Sequence, residues 1–169
     1  MLLQASTLLN LPVAANDTQS KIGKINKVII NPDNGELMGF IIKQNKFFAK
    51  DKILSSQDTI EIDRNGIVTP TEENLLEIDE IVRIKEIINQ NIPIFGQNAI
   101  TESKQNIGKI NDFLIDTDMN TIVKFYIHGI FHDKIFPANK VIRIDKNAVV
   151  FSDDVVEQTP SAETEGAAA

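Results

Sequence analysis

Apolar positions along the chain fall in short runs of Val, Ile, Leu and Phe, separated at close spacing by Gly, Pro, Asn and Asp. That pattern predicts many short strands closing into a small barrel or sandwich. Lys24–Ile30 and Glu36–Ile42 read as a strand pair. Between them Asn31-Pro32-Asp33-Asn34-Gly35 is a turn with a mechanism, because Pro32 presets φ and Asn34-Gly35 accepts positive φ. Asn65-Gly66 marks a second hairpin. Within the first strand Ile25, Val28 and Ile30 are expected to face inward. The step from 25 to 28 breaks the period of two, which predicts a β-bulge of the kind that bends a strand toward closure. Gly23 sits just before it, where a close backbone approach leaves no room for a side chain.

The same pattern occurs twice. Ile22–Lys43 and Ile107–His128 align without a gap at an offset of 85, and nine of the 22 pairs are identical, including the whole IGKIN opening. Ile110, Phe113 and Ile115 repeat the inward set, and Gly108 repeats Gly23. Asp116–Asn120 takes the place of the first turn, with poorer turn residues. Further on, Lys46-Phe47-Phe48-Ala49 aligns with Lys134-Ile135-Phe136-Pro137, and Ile62–Val68 with Ile144–Val150. This alignment puts the extra residues of the first copy in the polar stretch Ser55–Thr59. Gly23, Gly35, Gly39, Gly66 and Gly108 are the expected turn or bend positions.

The fold class is therefore mainly β, two tandem small barrels with a short helical or strand connector and a disordered C-terminal tail. The expected boundaries are 1–69 for the first barrel, 70–91 for the connector, 92–152 for the second barrel and 153–169 for the tail. The connector opens on Thr69-Pro70-Thr71-Glu72-Glu73, which has helix-start character. Its Ile-rich remainder, with a helical turn expected near Lys85–Asn91, is apolar enough to pack against the barrels. The tail lacks periodicity and is acidic.

Charge and composition narrow the functions. The net charge is −7, and Ser152–Ala169 contributes five acidic residues and no base. The rest holds 17 basic against 19 acidic residues, without the basic excess of a phosphate-binding protein. With no Cys, disulfides, thiolate catalysis and Cys-ligated metals are excluded. No apolar run reaches the roughly 18 residues of a membrane-spanning helix. The N-terminal stretch lacks a basic n-region, and its apolar run is broken by Gln4, Ser6, Thr7 and Asn10, so a cytoplasmic location is expected. Asn16-Asp17-Thr18 is read as a chance sequon.

Motifs that carry chemistry are sparse. His128 and His132 are four apart but fall at a strand end and turn, so they are read as surface histidines rather than metal ligands. Asp116-x-Asp118-x-Asn120 starts like a calcium loop, but Thr121 and Ile127 stand where Gly and Glu are required. Lys21, Lys24, Lys27 and Lys109 read as a solvated strand face. No phosphate loop, dinucleotide fingerprint or nucleophile elbow is present. Catalytic, cofactor and metal residues are accordingly expected to be none. Adjacent Phe47 and Phe48, placed on a short strand, must send one ring away from the barrel. With Phe131 and Phe136 they form the expected interaction patch.

The run IGKINKVIINPDNGELMGFII, followed by Phe-Phe and by Lys-Asp-Lys-Ile before a final hairpin, resembles the PRC-barrel family. That domain also occurs in the photosynthetic reaction-centre H subunit and in a ribosome maturation factor. The resemblance implies a non-enzymatic module that docks on another macromolecule. A protein partner is expected, and a homodimer through open sheet edges is compatible with it; nucleic acid is disfavoured by the charge. By analogy alone the alternatives are an RNA-processing or ribosome-maturation-associated factor and an assembly factor of a photosynthetic membrane complex.

Overall fold

The computed structural model describes residues 1–157. In chain order, β1 (Leu2–Gln4), α1 (Ala5–Leu8), β2 (Pro12–Ala15), β3 (Ser20–Ile30), β4 (Leu37–Gln44), β5 (Lys52–Ser55), β6 (Glu61–Asp63) and β7 (Gly66–Thr69) lead into the connector helix α2 (Val82–Gln90). They are followed by β8 (Asn98–Thr101), β9 (Asn106–Asp116), β10 (Thr121–His128), β11 (Lys134–Pro137), β12 (Val141–Ile144), β13 (Ala148–Phe151) and α3 (Asp154–Glu157). One sheet runs β5-β4-β3-β2-β7-β6 and the other β11-β10-β9-β8-β13-β12, the same order twice. The mainly β, duplicated architecture is the one expected from the repeat.

The predicted bulges are present. Ile25 pairs with Ile42 and Lys27 with Ile41, leaving Asn26 as the extra residue. In the second copy Ile110 pairs with Ile127 and Asp112 with Tyr126, leaving Asn111. Across the bulge the inward set is Ile25, Val28 and Ile30 in one sheet and Ile110, Phe113 and Ile115 in the other. Gly108 shows why the bend needs glycine: its φ is +145°, and a Cβ there would sit 2.2 Å from the His128 carbonyl oxygen.

The two units share one apolar core that runs from Leu8, Ile25 and Phe40 through to Ile110, Phe125 and Phe151. They differ in how they fill it. The second is threaded by a chain of aromatic contacts, Phe95–Phe113–Phe125–Phe151–Phe136, with centroids 4.9–6.3 Å apart. The first keeps Phe40 in the place of Phe125 and has Leu9, Val28, Leu54 and Thr69 in the other four. A smaller cluster lies outside the first sheet, where Ile84 of α2 packs on Ile29, Met38 and Ile53. The connector thus covers the sheet, and it also caps the free edge of β5 through paired backbone bonds between Ile53 and Leu76 (2.8 and 2.9 Å).

Four expectations are corrected. The helix start at Thr69–Glu73 is instead a single 3-10 turn, Glu72–Asn74, closed by a Thr71–Asn74 capping box, whereas the helical turn expected near Lys85–Asn91 is present within α2. Asp154–Glu157, assigned to the tail, is instead a helical turn that buries Val155; the rest of the expected tail, 158–169, lies outside the described residues. The first residues, assigned to the first barrel, pair instead in the second sheet, Leu2 with Asp116, Leu3 with Ile115 and Gln4 with Leu114. Ser6 fixes this crossing. Its amide (3.1 Å) and its hydroxyl both donate to the carboxylate of buried Asp112. Finally, the three extra residues of the first copy do not lie at Ser55–Thr59. Leu54 faces Phe40 and Phe136 faces Phe125, so β5 and β11 correspond at an offset of 82 and the longer loop is the one between β4 and β5. Sequence matching aligns the Phe-Phe pair with a strand because both are apolar.

Candidate functional site

That correction changes the reading of the aromatic patch. Phe47 and Phe48 occupy no strand; they form the tip of the β4–β5 loop, and their side chains are 93% and 97% exposed. The rings meet edge to face at 5.3 Å. Phe48 has φ +59°, a left-handed conformation that costs a bulky residue about 1 kcal/mol. The tip is anchored by Gln44, whose side-chain amide donates to the Lys50 carbonyl (2.9 Å), and by Asn45, which donates to the Lys21 carbonyl (3.2 Å).

The corresponding loop of the second unit, between β10 and β11, presents Ile130 and Phe131, 73% and 94% exposed. Here His128 Nδ1 lies 2.7 Å from Asp133 and ties the loop's two ends. Both corresponding loops therefore expose large apolar side chains at their tips, each rising from a pair of basic residues set directly across the ladder, Lys24 opposite Lys43 and Lys109 opposite His128. Phe136 does not join them. It lies on β11 facing the core, half-buried against Phe151, because the strand pairing opposite Phe125 turns it inward.

The tips point away from each other. Leu37 N donates to Asn120 O (2.8 Å) and Ile122 N to Gly35 O (3.0 Å), two bonds that interchange under the offset of 85. Around them Glu36 bridges Thr121 antiparallel. The β3–β4 and β9–β10 turns thus meet at a pseudo-twofold junction, and β4 and β10 leave it in opposite directions.

The other sequence candidates are dispersed. Asp116 accepts the amides of Asp118 (3.0 Å) and Met119 (3.2 Å) and so closes a turn. Among the described residues no three His, Asp or Glu side chains converge on a metal-sized site. Lys21 and Lys24 stand at the base of the first tip and Lys109 at that of the second, while Lys27 faces a different feature. This is an apolar groove of about 310 Å³ between the β3 segment Asn26–Ile30 and the α2 end with its following residues, including Ile87, Ile88 and Ile92. Sequence reasoning did not find this groove, since its walls come from segments about 60 positions apart.

No helix of the described residues is long and apolar enough to cross a membrane. A family model for the PRC-barrel domain matches residues 2–75. No curated protein matches the chain.

Proposed function

Since residues 2–75 belong to the PRC-barrel family, and residues 98–151 repeat their strand order, we propose that this protein is a non-enzymatic scaffold that docks on a protein partner through its two hairpin tips. The observation that carries the reading is the matched exposure of Phe47 and Phe48 at one tip and of Ile130 and Phe131 at the other. Exposed aromatic side chains on a rigid support are the usual anchors of a protein interface. The reading assigns no catalytic residue and no cofactor.

The test is affinity capture from the native cell with the wild-type chain beside two variants, Phe47→Ser with Phe48→Asn, and Ile130→Ser with Phe131→Ser. Asn tolerates the left-handed backbone at position 48, so the fold is kept. A discrete protein retained at about 0.5 M salt, where ionic contacts are screened, and lost with either variant supports the reading. Capture that both variants leave unchanged refutes it. Recovery that depends on RNA transfers the case to the ribosome-associated alternative.

A further inference from the structure

The groove beside β3 occupies the place that the N-terminal segment fills in the other half of the molecule. Under the offset of 85, Asn26, Lys27, Val28, Ile29 and Ile30 correspond to Asn111, Asp112, Phe113, Leu114 and Ile115. In the second sheet β8 stops at Asn106–Lys109, and beyond it β1 takes the vacated edge, antiparallel, with Leu3 opposite Ile115 and buried. In the first sheet β2 stops in the same way at Lys24, and the two residues before it, Asn10 and Leu11, carry the backbone bonds only one residue further, to Ile25. Among the described residues no strand follows it along Ile29–Ile30. The edge there faces the apolar groove closed by Ile88 and Ile92.

We infer that this groove binds an extended peptide segment of a protein partner, added as a strand antiparallel to β3 with an apolar side chain opposite Ile30. The molecule supplies the template: β1 performs this addition on β9, and Leu3 shows what the anchor does. It also supplies a charge rule. Asp112 accepts the amide and hydroxyl of Ser6, three positions after Leu3. The counterpart of Asp112 is exposed Lys27, which donates and does not accept. The segment that fits the groove therefore carries a carboxylate three residues after its apolar anchor. Pro32 stands where Thr117 donates to Met1, so the added ladder is one bond shorter than that of β1. This surface lies apart from the hairpin tips, and either assignment stands if the other fails.

The test titrates the full chain with two synthetic hexapeptides that copy the β1 pattern, MLLQAE and MLLQAK, followed by two-dimensional amide NMR. The expected result is saturable shifts confined to Ile29, Ile30, Ile88 and Ile92, with the acidic peptide roughly two- to fivefold tighter, as for one partly exposed ion pair. Lys27→Glu reverses that order. Ile88→Glu, on a half-exposed side chain, removes the binding while the remaining amide spectrum stays that of the folded chain. Absence of saturable shifts, shifts centred on Phe47 and Phe48, or equal affinities for the two peptides each overturn the inference.

Discussion

The backbone amide of Leu37 donates to the carbonyl of Asn120 across the two units, and its symmetric mate joins Ile122 to Gly35. Both acceptors are left-handed, Gly35 at φ +74° and Asn120 at φ +49°. Gly35 adopts this conformation without strain, whereas Asn120 also buries a side-chain oxygen, Oδ1, with no hydrogen-bond partner among the described residues. Asn120→Gly is therefore expected to stabilise the protein by about 1 kcal/mol, the removed orphan acceptor outweighing the added chain entropy. Gly35→Val is expected to cost about 1–2 kcal/mol. Chemical denaturation of both variants checks the pair, and equal effects at the two positions contradict the argument.

Asp112 holds the N-terminal crossing. Its carboxylate accepts the Ser6 amide and hydroxyl and also the amide of Phe113 (2.8 Å). Asp112→Ala leaves these donors without an acceptor in a buried place and is expected to cost about 2–4 kcal/mol. Asp112→Asn keeps one acceptor oxygen and is expected to cost less. Hydrogen exchange reports the mechanism, with the Leu3 and Gln4 amides losing protection before those of the first sheet.

Ile84 is the buried contact of α2 with the outer face of the first sheet. Ile84→Ala is expected to destabilise by about 2–4 kcal/mol. Because this cluster is separate from the shared core, the loss concentrates in the connector. Limited proteolysis is then expected to cut near α2 while both sheets persist; simultaneous loss of all structure argues against a separate cluster.

Asp63 and Asp145 are counterparts that close the last hairpin of each unit. Backbone amides, that of Asn65 for the first and that of Asn147 for the second, hold both carboxyls below the usual carboxylate range, and Arg143 adds to the effect at Asp145. A folded value below the unfolded one means that the ionised form is favoured by folding. The stabilisation is present above the unfolded value and is lost as pH falls through the folded one. The melting temperature is expected to fall on acidification through this window, and Asp63→Asn with Asp145→Asn to flatten that slope without changing it near neutrality.

Much of this fold is legible in the chain. The IGKIN repeat locates the paired hairpins, and the break in period between Ile25 and Val28 locates the bulge, because bulge and alternation both leave local marks. Register over longer distance leaves none. Phe47-Phe48 matches a strand by composition alone, which hides its loop position and the inward face of Phe136. The pairing of Leu3 with Ile115, and with it the meaning of the empty edge at Ile30, depends on contacts between residues far apart in the sequence.

The crossing of β1 also imposes an order in time. A ribosome releases Leu3 early and Ile115 about 110 residues later, a wait of roughly 5–20 s at ordinary elongation rates. Throughout that interval the first sheet can form from its own residues, but the opening Leu-Leu segment has nowhere to pair. Leu2 and Leu3 thus stay unpaired until Ile115 has left the ribosome, and the second sheet closes on a strand made long before its partner.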